Sequence, residues 1–204
     1  MTPTLEIIAQ IISILALVTG IPYMIFEVLQ KNAMWYFGFF TGLTSAIMFA
    51  IQRNWASMCL NVYYVFMAVW GLYQWKKDSA LLKSGNEKSH ASATIHLNHI
   101  SGKMAWGSLA GFVLMFVFLL WALRLLGDPA VVLDALSTSL CVVAMVWLAK
   151  SIPWHWVLWI IGDILLVVMC FVQGNYWLTA MYAVYVAASV YGLFLWRKNG
   201  SYVG

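Results

Sequence analysis

The chain has 204 residues, of which 64% are hydrophobic, 16% aromatic and 9% charged, with a mean hydropathy of +0.86; a soluble domain carries roughly a quarter of its residues as charges. This is the composition of a membrane protein, and at ~20 apolar residues per span the length holds about seven helices and no separate soluble domain. Eleven Lys and Arg against seven Asp and Glu give a net charge of +4, but the basic residues stand singly or in pairs, which excludes a nucleic-acid-binding stripe. The opening Met-Thr-Pro-Thr-Leu-Glu has no basic n-region and no cleavage site follows the first apolar run, so the first helix is expected to be retained. Cys59, Cys141 and Cys170 are odd in number, far apart and set in apolar runs, which suits buried thiols rather than disulfides or a zinc site.

Uninterrupted apolar stretches predict spans at Ile7–Phe26, Met34–Ile51, Trp55–Trp75, Trp106–Leu123, Ala130–Ala149, Trp154–Val172 and Tyr176–Trp196. The alternation of a membrane barrel is absent, so the fold is expected to be all-α. Pro22 would kink the first span, whereas Pro153 falls at the start of the sixth, where proline is tolerated. The one long polar stretch, about Lys76 to Lys103, reads as a solvated linker. It contains His90, His96 and His99, and no carboxylate or cysteine completes a metal set with them.

With seven spans the termini lie on opposite sides. Nine of the eleven basic residues (Lys31, Lys76, Lys77, Lys83, Lys88, Lys103, Lys150, Arg197 and Lys198) fall on the C-terminal side, against Arg53 and Arg124. The positive-inside bias puts the C-terminus and the linker in the cytoplasm and the N-terminus outside.

Shifting the chain by 121 residues lays Lys31–Lys77 on Ile152–Lys198 without a gap and gives eleven identities in 47 positions, where chance in such an apolar alphabet gives about four or five. Span two falls on span six and span three on span seven. The expected organisation is a first three-helix repeat over 1–75, a cytoplasmic linker over 76–105, a linking helix over 106–126 and a second, parallel three-helix repeat over 127–204.

Trp156, Trp159 and Asp163 lie within about 60° of one another on the sixth helix. A carboxylate inside a span costs at least ~2.5 kcal/mol facing lipid, so Asp163 should face the bundle interior or a cavity. With indole walls it suits a flat cation; equally, Trp156 near the helix start could be an interfacial anchor and Asp163 a structural group. Asn61 and Tyr64 on span three, with Tyr182 and Tyr185 on span seven, are hydrogen-bonding candidates at i and i+3, or packing residues. Glu27 and Lys31 read as a solvated i, i+4 ion pair. Asp134 is either an interior site or a frayed end.

The string W-V-L-W-I-I-G-D at Trp156–Asp163, preceded by V-A-M at Val143–Met145 and followed by G-x-x-x-W at Gly192–Trp196, resembles the PnuC family of bacterial vitamin transporters. K-N-A-M-W-Y-F-G at Lys31–Gly38 and G-L-Y-Q-W at Gly71–Trp75 agree. The resemblance covers nearly the whole chain outside the linker. It implies a SWEET-related fold in the bacterial inner membrane, a homotrimer, and facilitated diffusion of an unphosphorylated vitamin precursor that a cytoplasmic kinase traps, with no cofactor. It places Trp156, Trp159, Asp163 and Asn61 at the substrate site. The nicotinamide riboside pattern has Asn at the position of Asp163 and Gln at that of Asn61. An Asp also accepts from the exocyclic amine of an aminopyrimidine, so the expected order is thiamine, then nicotinamide riboside, then the larger, uncharged riboflavin.

A retinal photoreceptor is excluded, since Ala180–Leu195 contain no lysine. An intramembrane enzyme is disfavoured too: His155 is the histidine near a span, and there is no H-E-x-x-H or paired aspartates. A channel is the remaining class, distinguished by non-saturating flux.

Overall fold

The computed structural model describes residues 22–51, 55–85, 95–127, 131–172, 174 and 176–203. Two compact units divide the chain, Met1–Ala80 and Leu81–Gly204. The described residues form seven helices and two three-residue strands. The helices are α1 (residues 22–28), α2 (Ala33–Ile51), α3 (Trp55–Gly85), α4 (Gly102–Leu126), α5 (Val131–Ala149), α6 (His155–Val172) and α7 (Tyr176–Asn199); the strands are β1 (Ile95–Leu97) and β2 (Gly200–Tyr202). Among the described residues, four helices are long and apolar enough to cross a membrane: Gly102–Leu126, Val131–Ala149, His155–Val172 and Thr179–Asn199. Whether Pro22 bends the first span depends on residues before it, which lie outside the described residues.

In the first unit, α1 ends in a Schellman turn. Gln30 takes a left-handed backbone (φ 49°), its N–H donates to Glu27 O at 3.0 Å and that of Lys31 to Phe26 O at 2.8 Å, which satisfies carbonyls a helix end would otherwise leave open. The turn hands over to α2, where Phe37 stacks on Phe26 with centroids 5.6 Å apart. Trp35 on α2 and Trp75 on α3, both fully buried, meet edge to face at 5.1 Å and 77°, a geometry worth about 0.5–1.5 kcal/mol beyond area burial. Gly71 makes this possible, because a Cβ there would overlap the Trp35 ring.

The second unit repeats these devices 121 residues later. Ser151 is left-handed (φ 54°), its N–H donates to Leu148 O and that of Ile152 to Trp147 O, both at 2.9 Å. Among the described non-glycine residues, Gln30 and Ser151 are the two with this backbone. Trp156 and Trp196 meet edge to face at 5.6 Å and 89°, and a Cβ on Gly192 would lie 2.6 Å from the Trp156 ring. His155 donates from Nδ1 to Ile152 O at 2.7 Å and packs against Trp196 at 4.8 Å. Arg197 lies 5.5 Å over the Trp154 ring, a cation–π contact at the end of α7, where a cation also complements the helix dipole.

Helix α4 is capped at both ends. Ser101 Oγ accepts from Met104 N at 3.3 Å, and left-handed Gly127 (φ 72°) closes the C-terminus. The helix buries no residue, and Trp147 Nε1 on α5 donates to Ser108 Oγ on α4 at 2.8 Å.

Two departures from the sequence reading fall in the polar linker. Helix α3 continues from Trp75 to Gly85, because Ala, Leu and Lys favour helix even where the composition is polar. Beyond the residues outside the description, the linker is not wholly solvated: Ile95 and Leu97 are buried, and β1 pairs in parallel with β2 in the register Ile95↔Gly200, His96↔Ser201, Leu97↔Tyr202. Val203 N donates to Leu97 O at 2.8 Å and Asn98 N to Ser151 O at 3.1 Å, while Asn98 Nδ2 donates to Lys150 O at 3.0 Å. His99 stacks on Tyr202 at 3.9 Å and 5°. The C-terminal tail and the linker are thereby clasped to the turn between α5 and α6. His90 lies outside the described residues, and the other two histidines of the linker serve packing.

Burial holds the His96 imidazole at about 4, below its usual 6.5. The unfolded chain therefore takes up a proton as the pH falls through 6.5 while the folded clasp does not, so stability is full above that pH, declines towards pH 4 and is level below it. The hydrogen-exchange protection factor of the Val203 amide should fall across this window in the parent and stay level in His96→Leu. Parent protection that is flat from pH 6.5 to 4 would refute this.

Candidate functional site

Helix α6 leaves the Ser151 turn through two tight bonds, His155 N to Ile152 O at 3.1 Å and Trp156 N to Pro153 O at 3.3 Å, with Pro153 where its missing N–H costs nothing. That start fixes the rotation of the helix. It turns Trp156 into the α7 junction, between Gly192, Trp196 and His155, with 1% of its surface exposed. Trp159, one turn on, is half-buried. Its Nε1 is buried and has no hydrogen-bond partner among the described residues.

Asp163, one further turn along, is buried with 8% of its surface exposed. Among the described residues it has neither a hydrogen bond nor an ion pair. Cys141 on α5 and Tyr182 and Tyr185 on α7 all stand within Coulombic range of its carboxylate. The two tyrosine rings meet edge to face at 6.0 Å. Three helices of the second unit thus converge on one carboxylate, with phenol and thiol groups around it. Such a carboxylate is stabilised by a cation or a proton.

The structure brings together Asp163, Tyr182 and Tyr185 of the sequence-derived candidates. Asn61 and Tyr64 belong to the first unit. There the backbone O of Asn61 and Val65 Cγ2 lie 3.3 and 3.1 Å from where a Cβ on Gly42 would stand, so α2 and α3 close together at Gly42. Tyr64 packs beside Tyr63 at 5.6 Å, in Coulombic range of Tyr23.

Sequence reasoning missed two groups. Glu27 is not a solvated partner of Lys31 but buried, with 6% exposed, in Coulombic range of Tyr23; the helix stops within one turn of it, so the i, i+4 geometry the pairing needs is not maintained. Cys141, read as a buried thiol, is half-buried and stands in Coulombic range of the carboxylate, and nothing in its local sequence marks it. Asp134 lies in the first turn of α5, where a negative charge complements the helix dipole.

A family model described as nicotinamide mononucleotide transporter matches residues 10–198. The chain belongs to this family. The nicotinamide riboside transporter PnuC of Escherichia coli (strain K12) is 22% identical over 200 residues, covering 85% of this chain and 81% of the relative. That of Neisseria mucosa is 27% identical over 190 residues, covering 90% and 70%. A crystal structure of the vitamin B3 transporter PnuC superposes with a TM-score of 0.67 at 22% identity, over 95% of this chain and 87% of that one, which shows the shared fold. The chain is therefore a multi-pass membrane transporter of this family and not an enzyme. The relatives are named for nicotinamide riboside and the structure for vitamin B3, so the precedence given to thiamine is unsupported and nicotinamide riboside moves ahead of it.

The two tryptophans should separate in their effects. Trp159→Ala removes an aromatic wall and should weaken binding of a cationic ligand about five- to thirty-fold, about 1–2 kcal/mol, with the unfolding midpoint near the parent's. Trp156→Ala empties a filled core site and should destabilise by about 3–5 kcal/mol. Thermal unfolding in detergent beside calorimetric titration reads both, and equal loss of stability in the two variants would refute the division.

Proposed function

We propose that this chain carries nicotinamide riboside into the cell. The observation that carries the reading is Asp163, a carboxylate buried inside a membrane helix with no ion pair among the described residues. A pyridinium supplies the missing positive charge and a flat face for Trp159. The unpartnered Nε1 of Trp159 is a donor for a ligand hydroxyl, and Tyr182 and Tyr185 can donate or accept. Trp156 contributes by holding α6 on α7, so that its role at the site is to position Trp159 and Asp163.

The same carboxylate argues for the riboside over the mononucleotide. A phosphate beside Asp163 would meet a like charge in a low-dielectric setting, and the described Lys and Arg of the second unit, Lys83, Lys103, Arg124, Lys150, Arg197 and Lys198, sit at or beyond helix ends. Titration of the purified protein should give binding of nicotinamide riboside tighter than that of thiamine, and of the mononucleotide weaker by about ten-fold or more. Tighter binding of thiamine or of the mononucleotide would overturn the reading.

The proposed architecture is two parallel three-helix repeats related by the 121-residue shift, α1–α3 and α5–α7, with α4 as the linking helix, in the cytoplasmic membrane of a bacterium. Its support is the paired Schellman turns at Gln30 and Ser151 and the paired Trp–Gly contacts. No second carboxylate acts on Asp163 among the described residues as a proton relay would, so uptake should saturate and ignore a sodium or proton gradient. A cationic vitamin still responds to the membrane potential, worth ~2.3 kcal/mol per charge per 100 mV, or about fifty-fold accumulation. Proteoliposomes with a potassium diffusion potential should show accumulation that an ionophore collapses; accumulation driven by sodium alone would show a coupled carrier.

The basic-residue bias supports a cytoplasmic C-terminus. A reporter tests it when fused after Gly204, because a junction after Trp196 would remove β2. Activity of a cytoplasmic reporter is expected there, and activity of a periplasmic one would reverse the orientation.

A further inference from the structure

Helix α5 buries small residues on two opposite sides. Ala135, Ser137, Ser139 and Ala144 are buried along it, and both serine hydroxyls are spent on their own helix: Ser137 Oγ donates to Asp134 O at 3.3 Å and Ser139 Oγ to Ala135 O at 2.7 Å. Neither is then left to donate to a ligand. Cys141 follows on the same helix and is half-buried. Its Sγ is the atom that a Cβ on Gly162 would meet, at 3.9 Å, so α5 approaches α6 through this sulfur next to Asp163. Tyr182 on α7 and the Asp163 carboxylate are both within Coulombic range of the same thiol. The second observation is Asp163 itself, more than nine-tenths buried and without a hydrogen bond or ion pair among the described residues. A carboxylate in that state calls for a cationic ligand, and Cys141 stands beside it.

We propose that Cys141 lines the ligand site from α5 and that the small side chain at position 141 sets how large a group can sit beside Asp163. The proposal deepens the cation-carrier reading and rests on it. Gly162 gives room on α6 and Cys141 gives room on α5; a branched side chain at 141 would fill the space that a pyridinium ring needs and leave the carboxylate alone. The thiol's role is one of size, with weak hydrogen-bonding capacity at most, so loss of the sulfur itself matters little.

Titration with nicotinamide riboside, alongside thermal unfolding, tests this on the full chain. Cys141→Ala should bind within about two-fold of the parent and Cys141→Leu weaker by about ten-fold or more, as overpacking of a filled site requires. Parent-like binding by Cys141→Leu overturns the proposal. Should Cys141→Leu fail to fold, the Cys59→Ser/Cys170→Ala background leaves Cys141 as the one thiol for a small cationic methanethiosulfonate. Saturating nicotinamide riboside should slow its modification by about ten-fold. A thiol that does not react in the ligand-free protein, or reacts equally fast with ligand present, overturns the proposal. A parent that binds no nicotinamide riboside overturns instead the substrate reading from which the proposal starts.

Discussion

The contact on which the rest depends is a buried indole pressed against a helix that lacks a side chain at that point. Lipid tails are as apolar as leucine, so helices in a membrane are held together by close packing rather than by escape from water. Trp156 on Gly192 and Trp196, and Trp35 on Gly71 and Trp75, supply that packing within each unit. Each indole is too large to be accommodated unless the facing residue is glycine, and each glycine would leave a void unless an indole filled it. The pair therefore fixes the distance and rotation of α6 on α7, and so the direction in which the face bearing Trp159 and Asp163 points.

The tight turns preceding α2 and α6 serve the same end. A left-handed residue that is not glycine carries a conformational cost, met at Gln30 and Ser151 by the two extra bonds of the Schellman turn. At Ser151 the turn also receives Asn98 and hence the strand pair. Linker, tail and turn form one knot at the end of the second unit, and a long polar insertion between spans is thereby tied to the helices that carry the candidate site.

The span boundaries were legible because a membrane helix declares itself by length and apolarity alone. α2, α5 and α6 lie within one residue of where the hydropathy puts them, and the Trp156-to-Asp163 string identified the family before any geometry. Side-chain direction was not legible to the same degree. Trp156 and Trp159 share a helix face by angle, yet one is consumed by the α7 contact and the other is only half-buried, a difference set by Gly192 far along the chain. The clasp was invisible for a related reason: three-residue strands whose partners lie about a hundred residues apart leave no periodicity to read. Glu27 was misread because i, i+4 spacing implies a pair only while the helix continues, and the Gln30 turn ends it.

The two units share packing devices but not charge. Under the 121-residue shift Asp163 falls on Gly42 and Glu27 on Leu148. Where the second unit leaves room for a carboxylate among three helices, the first closes α2 onto α3 through Val65 and the Asn61 carbonyl. Where the first buries Glu27 beside its turn, the second has a leucine in a fully packed core. Such contacts constrain the positions that hold helices together, because an indole and its glycine can only change in concert. Positions facing the interior are under no such mutual constraint, and each buried carboxylate adds a desolvation cost that only a positive group or a proton meets, so a charge gained in one unit need not appear in the other.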